Sequence, residues 1–475
     1  MKNFFIRLLL KYFAKNITKN TKFILQGDCF ICIKGTNFDG HCLTQQAHQL
    51  GAKFILATTE DGYGIAKKNC PEAKVFLYKI KSHADMVKLL NCKYKNKPKL
   101  IAITGTNGKT SAVHFCIELL KQFNIKAASI GTLGVRTNFN CNLSFANTGL
   151  TTPDIANLYY TLNALYKQKV KYCFVEATSI ALQTGRLSGL QFVCAGFTNF
   201  TQDHLDFHKT MDAYFASKML LFSNYLHPNA TAVINADIPQ KNQIEKHIPH
   251  YVKKQYFELS NFQVCEDGEA VVFNNKICID GKYPQFQLYN IALAIRLVEG
   301  LGFVFQKTTL PHLPMPEGRM QSVKNNLGVE IYIDFAHTPD AIEKILQSAT
   351  HLLKPQAKLI CVFGCGGDRD ASKRPLMAQT VAKYATYAVI TSDNPRTEDP
   401  QNIIDQITQG FNQCNFANFT QIIRREEAVE AAIKLAKKDD IIVIAGKGAE
   451  TYQIIGTNQH PYNDEQQIIK ILQSL

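Results

Sequence analysis

The sequence has no apolar run long enough to cross a bilayer, which excludes a membrane-spanning helix. Its first stretch, MKNFFIRLLLKYF, mixes lysine and apolar residues as a signal peptide does. However, Arg7 and Lys11 interrupt the run, and no small-residue cleavage site follows. A plain N-terminal helix is expected there, with an amphipathic contact at a membrane surface left open. The 14 cysteines lack a regular framework, and 475 residues can bury cores without disulfide staples. A reducing cytoplasm is the expected setting. The one C-x-x-C, Cys29 and Cys32, sits in an apolar run, and no second pair stands at zinc spacing. Core packing in a strand is therefore expected of it, rather than metal.

Acidic residues are the scarce charge, 39 against 53 Lys and Arg, for a net charge of +14. Such a balance fits polyanionic partners. The cations are spread along the chain, so a small, highly anionic substrate such as a nucleotide sugar accounts for it as well as nucleic acid does. Hydrophobic residues at 46% and charged residues at 19% describe a globular protein, and the length exceeds what one core can hold. Two to four domains are expected.

Residues 99–123 carry the strongest chemical signal. An apolar run to Thr104 reads as a buried strand, and Gly105-Thr106-Asn107-Gly108-Lys109-Thr110 then turns into a helix whose Ala112, Val113, Phe115, Cys116, Leu119, Leu120 and Phe123 share one face. Glycines that let backbone N–H groups close on phosphate, a helix N-terminus and Lys109 together make a phosphate loop. Thr110 is placed to ligate Mg²⁺. The usual loop has a glycine where this chain has Ile103. Further on, the strand from Tyr172 ends in Glu176, an acidic residue at a carboxyl strand end suited to hold Mg²⁺.

The variant GTNGKT resembles that of the Mur ligases and their folylpolyglutamate synthase relatives, and the rest of the chain follows the Mur pattern in order over about residues 27–455. The resemblance implies an α/β protein of three domains. These are a uridine-binding α/β domain (1–97, with 91–99 as its exit linker), a central P-loop ATPase domain on a parallel sheet (98–315), and a Rossmann-like amino-acid-binding domain (316–475). In the first, Gly27-Asp28 and Asp39-Gly40-His41 match the family. Asn20-Thr21-Lys22 stands where the family has Asp-Ser-Arg, so Thr21 is the implied contact to UDP. Thr151, Thr152, Thr178 and Arg186 are implied contacts to the muramoyl peptide, in loops at 147–154 and 176–186; Pro153 reads as a helix start, and the two threonines read equally well as helix-capping hydroxyls. Ile180 replaces the family's histidine.

In Asp203-His204-Leu205-Asp206-Phe207-His208, which follows a strand read at 192–200, the spacing alone could be a zinc pair. The resemblance instead makes His204 a ligand of a second Mg²⁺ and leaves His208 structural. Lys218, a surface lysine by composition, is by resemblance carbamylated by CO₂ and so able to hold the same ion. Lys109, Glu176, His204 and Lys218 form the implied catalytic set, with Thr110, Glu176, His204 and carbamylated Lys218 as metal ligands. The phosphate loop from Gly105 to Ser111, with Asn290, Arg319, Asp334 and His337, would bind ATP. Arg369, then Asp393-Asn394-Pro395-Arg396, and Gly446 with Glu450 would take the incoming amino acid. DNPR marks the diaminopimelate-adding members, because a guanidinium binds the extra carboxylate bidentately.

The implied activity is an ATP-dependent ligase adding meso-2,6-diaminopimelate to UDP-N-acetylmuramoyl-L-alanyl-D-glutamate. It would use two Mg²⁺ and CO₂, act as a cytoplasmic monomer, bind no nucleic acid and make no stable insertion into a membrane. A lysine-adding ligase is opposed by Arg396, and a folylpolyglutamate synthase by the uridine-domain pattern and DNPR. A basic P-loop NTPase acting on nucleic acid is the alternative from another class.

Overall fold

Alternation along short apolar runs decides which face of each sheet a residue serves. In the strand Cys29–Cys32, Cys29 and Ile31 enter one hydrophobic cluster, and Phe30 and Cys32 enter another on the opposite face. The cysteines of this strand are thus core residues, as expected, and no disulfide joins any of the 14 cysteines. The computed structural model describes residues 2–35, 38–143, 145, 148–265, 269–306 and 308–474. Asn147, at the head of one implied substrate loop, lies outside the described residues.

The first sheet is parallel, in the order Ile17–Thr18, Cys29–Cys32, Phe54–Ala57, Val75–Leu77. The second has seven strands: Lys253–Phe257, Leu226–Asn235, Phe192–Phe197, Lys99–Thr104, Tyr172–Glu176, Ala127–Gly131 and Gly134–Thr137. Only the last pairs antiparallel. The phosphate-loop strand lies between Phe192–Phe197 and Tyr172–Glu176, in register so that Ile103 pairs with Glu176 and Thr104 with Phe197. Three carboxyl strand ends therefore open side by side, where ligands of parallel sheets bind. A small sheet of Phe262–Val264, Ala270–Phe273, Ile277–Asp280 and Thr308–Leu310 follows. The last large sheet runs Gln321–Val323, Glu330–Asp334, Ile441–Ala445, Leu359–Phe363, Tyr387–Thr391, Phe419–Ile422, with an antiparallel first pair and parallel pairs thereafter.

Three boundaries differ from expectation. The helix His83–Lys93 occupies part of the 91–99 linker, and Tyr94 is buried, its hydroxyl accepting the Ile17 N–H at 2.7 Å. The connection is thus shorter and is fastened to the first sheet. Pro153 does not start a helix: Asp154 caps Ile155–Lys167 by accepting the N–H groups of Ala156 and Asn157, so neither Thr151 nor Thr152 is the cap. The strand read at 192–200 stops at Phe197, because Thr198 and Asn199 turn away to bind the phosphate loop.

One hydrophobic cluster runs from Ile6, Leu10 and Ile31 through Leu89 into Leu100, Ala102 and Tyr159, so the first two sheets share a continuous core. In the last sheet, polar burial matters as much. Arg425 and Asp464, both fully buried, form a two-bond ion pair at 2.9 and 2.8 Å, and Arg425 also donates to the Ala445 carbonyl at 3.0 Å. The pair ties the final helix, Asp464–Ser474, to the strand end that leads to Gly446. Removing one partner strands the other charge. Asp464→Ala is expected to cost about 3–5 kcal/mol, read by denaturant unfolding; a loss under about 1 kcal/mol would contradict this role.

Candidate active site

The phosphate loop is shaped by backbone geometry that side chains would spoil. Gly105 has φ +137°, and a Cβ there would fall 1.9 Å from Thr198 Oγ1; Gly108, at φ +85°, faces Asn290 Oδ1. Thr198 Oγ1 donates to the Asn107 carbonyl at 2.6 Å, and Asn199 Oδ1 accepts the Asn107 N–H at 2.9 Å. The neighbouring strand end thus braces the loop. Helix Lys109–Gln122 follows with its apolar face buried, as read from its periodicity.

Lys109 Nζ donates to the carbonyls of Gly105 (3.0 Å) and Thr106 (2.7 Å). Lys218 Nζ donates to the same Gly105 carbonyl at 2.7 Å and sits over the Tyr214 ring. The residue is 1% exposed, so the surface position expected from composition does not hold. Burial, and then the neighbouring Lys109, push the Lys218 ammonium well below its ordinary range. Burial also lowers Lys109, and it takes His204 down to about 4, although Asp203 opposes the latter.

Glu176 closes the other side. Its carboxylate accepts the Thr110 hydroxyl (3.0 Å) and the Thr132 N–H (2.9 Å), and burial raises it despite Lys109. Thr110 Oγ1 in turn accepts from Arg319 Nη2 at 3.0 Å. Thr110 and Glu176 therefore present oxygen ligands side by side, the donor set a hard divalent cation requires. His204 and Lys218 are also brought together beneath the loop, but an amine next to an imidazole does not fit a cation. The zinc spacing is dismissed by geometry: His208 is buried, with its ring nitrogens against Ser179 Oγ (2.9 Å) and Ser217 Oγ (3.3 Å), a structural role.

The last sheet faces this loop across a cleft of about 960 Å³. Asn107, Lys109, Thr110, Ser111, Glu176, His204, Asn290, Arg319, Asp334 and His337 line one part of it, and Arg369, Asp393, Asn394, Arg396, Gly446 and Glu450 the other. Asp334 accepts the N–H groups of Met320 and Ala336, both at 2.7 Å, and so fixes the chain carrying Arg319. Arg396 has φ +51° and donates to the Gly367 carbonyl at 2.7 Å. Glu450 is already partnered: fully buried Lys447 donates to it at 2.9 Å, and Asn394 at 3.1 Å.

Of the remaining expected residues, Thr151 and Thr178 line the cleft, whereas Thr152 hands its hydroxyl to the Glu176 carbonyl at 2.6 Å. Arg186 donates to the Thr152 carbonyl at 2.9 Å, outside the cleft lining. Thr21 and Pro395 also lie outside it. A second cavity of about 110 Å³ opens between Phe23 and Leu25 on one side and Thr148, Leu150 and Pro153 on the other. Several residues of evident importance went unassigned in the sequence. Buried Asp203 meets Lys373, His337 and His204 at 3.5–3.7 Å; burial raises its carboxyl, but the Lys373 ammonium and then the hydrogen bond from His337 outweigh it and hold it well below the usual range. Asp203 stands inside the Asp203–His208 segment and Lys447 directly after Gly446, so each lies beside a residue that the resemblance singles out. Thr132, Asn199 and Lys373 carry no local signal.

Profiles of the Mur ligase middle domain and of the Mur ligase glutamate ligase domain match residues 103–298 and 318–448. A UDP-N-acetylmuramoyl-L-alanyl-D-glutamate–2,6-diaminopimelate ligase of Rickettsia rickettsii is 36% identical, over 98% of this chain and 97% of the relative. One of that name from Clostridium botulinum is 34% identical over 96% and 95%. Among solved structures, a protein of the same name aligns at TM-score 0.57 and 27% identity, covering 97% of this chain and 95% of the other. A MurF ligase from Thermotoga maritima in complex with ADP aligns at TM-score 0.63 and 19% identity, over 91% and 94%, and so shares the fold. With nearly full-length identity of this order, the chain belongs to the Mur ligase family.

Proposed function

We propose that this protein is an ATP-dependent ligase that joins meso-2,6-diaminopimelate to UDP-N-acetylmuramoyl-L-alanyl-D-glutamate. The carrying observation is one cleft with a phosphate loop on one wall and Arg369, Arg396 and Glu450 on the other. The D-Glu γ-carboxylate attacks the ATP γ-phosphorus, ADP leaves, and an acyl phosphate forms. The diaminopimelate amine then attacks the acyl carbon, phosphate departs, and the amine loses a proton.

Each residue has a task in bringing three anionic partners together. The loop N–H groups and Lys109 hold the phosphates, and Arg319, fixed by Asp334, adds a cation beside Thr110. Thr110 and Glu176 would hold one Mg²⁺, and His204 with Lys218 a second. Bound Mg²⁺ supplies charge neutralisation for phosphates and nucleophile. The second site requires Lys218 to change sign. Its amine, made less basic by burial, attacks CO₂, an N–C bond forms, and a proton leaves, giving a carbamate anion. Arg369 and Arg396 take the carboxylates of diaminopimelate, and Glu450, oriented by Lys447, takes its distal ammonium. A lysine substrate would bring no carboxylate to the half-buried Arg396, a basis for discrimination. We further propose the three domains at 1–97, 98–315 and 316–475, the assigned contacts of Thr21, Thr152 and Arg186 to the UDP-muramoyl peptide, and a monomer working in the cytoplasm.

The test is product mass from one reaction with ATP, Mg²⁺, bicarbonate, UDP-MurNAc-L-Ala-D-Glu and equal diaminopimelate and L-lysine. Product carrying only diaminopimelate is expected; lysine product would overturn the specificity, and no product the activity. Arg396→Ala is expected to raise the KM for diaminopimelate about 10- to 100-fold, with a smaller change in kcat. Lys218→Met should abolish turnover yet leave the ligand-free protein about 1 kcal/mol more stable to denaturant, because it removes a buried amine set beside Lys109. A less stable Lys218→Met protein would show that Lys218 serves the fold.

A further inference from the structure

The helix Lys2–Phe13 has two apolar faces, and only one of them is used. Ile6, Leu10 and the following Ala14 are buried in the cluster that includes Met86, Leu89 and Leu90 of the helix His83–Lys93. On the other side Phe4 (60% exposed), Phe5 (62%), Leu8 (38%) and Tyr12 (67%) stand in solvent, and Phe13 (63%) follows at the end. Scattered exposed apolar side chains are ordinary, but positions 4, 8 and 12 with 5 form a continuous helical stripe. A helix already anchored by one face has no folding reason to carry a second.

The charge along this segment of the chain is of one sign. Residues 1–27 contain Lys2, Arg7, Lys11, Lys15, Lys19 and Lys22 and no Asp or Glu. The first acid, Asp28, is 1% exposed and is turned inward onto Asn16 and Leu25. Lys11 leans over the Tyr12 ring at 5.1 Å, and exposed Lys53 approaches the Phe13 ring at 6.0 Å. Aromatic side chains flanked by lysines suit the polar boundary of a bilayer, where rings enter the headgroup layer and ammonium groups meet lipid phosphates. No helix among the described residues is long and apolar enough to cross a membrane, so the contact is peripheral. No residue before Thr106 lines the main cleft, which would stay open to substrates.

We propose that Phe4, Phe5, Leu8, Tyr12 and Phe13, with Lys11, Lys15 and Lys53, form a docking face for an anionic lipid bilayer surface. The face is independent of the ligase reading, since none of these residues belongs to that site.

The test is co-sedimentation of the full chain with vesicles of pure phosphatidylcholine and with vesicles containing about a third phosphatidylglycerol. Binding to the anionic vesicles that weakens with added NaCl is expected. The exposed triple variant Phe4→Ser, Leu8→Ser, Tyr12→Ser should lose it without a change in melting temperature. Lys11→Glu with Lys15→Glu should lower the partition coefficient roughly 25-fold or more. Absence of binding to anionic vesicles, or binding unaltered in either variant, overturns the proposal. So does a dimer that the triple variant dissociates while neither protein binds vesicles, for a second copy would then be what covers the stripe.

Discussion

The Gly105 carbonyl accepts from two ammonium groups, Lys109 and Lys218, and the geometry of the whole site depends on how that crowding of charge is tolerated. Lys109, Lys218 and Arg319 converge beside His204, with Glu176, Asp203 and Asp334 as the nearby acids. Burial answers part of the problem by weakening the basicity of each lysine and of His204. The acids answer the rest, and Asn199 holds the Thr106 and Asn107 N–H groups of the loop above them. A polyphosphate bound at the loop would meet Lys109 and Arg319 directly, without an acid between them.

That constraint also explains how the last sheet is held over the central one. Asn107 reaches from the loop to Asp340 at 2.8 Å and Thr338 at 3.4 Å, and Gln202 reaches Asp370 and Ser372. Asp203 is shared between His204 on its own segment and Lys373 and His337 across the cleft. These contacts are polar and sparse compared with the continuous apolar core joining the first two sheets. The two walls of the cleft are therefore joined by a network of polar side chains rather than by a shared apolar core.

Much of this was legible in the sequence because the informative elements are local. The strand Lys99–Thr104, the helix Lys109–Gln122 and the strand ends at Glu176, Asp334, Thr391 and Ala445 follow from apolar runs and turn residues that need no distant partner. What stayed hidden depends on long-range pairing. The strands of the small sheet are three or four residues long, too short for a periodic signal. Lys218 looks exposed in sequence because an amphipathic helix normally turns lysine outward, and only the approach of the Gly105 carbonyl shows otherwise. Arg425 and Asp464 lie 39 positions apart, and neither alone announces an ion pair.

The amino-acid wall extends the same logic to specificity. Glu450 would be a poor ligand for an ammonium if it rotated freely, but Lys447 and Asn394 both hold its Oε2. Asn394 Oδ1 also accepts from Lys447 and from the Ile454 N–H, so one amide links the carboxylate to the segment that pairs with Arg396. Acid and guanidinium are thus fixed relative to each other by a shared neighbour rather than by contact. On the proposed assignment, a substrate whose distal carbon carries both an amine and a carboxylate satisfies both at once, whereas one lacking that carboxylate leaves the half-buried Arg396 with backbone carbonyls as its hydrogen-bond acceptors. On that assignment, the missing carboxylate partner of Arg396 is what would separate diaminopimelate from lysine.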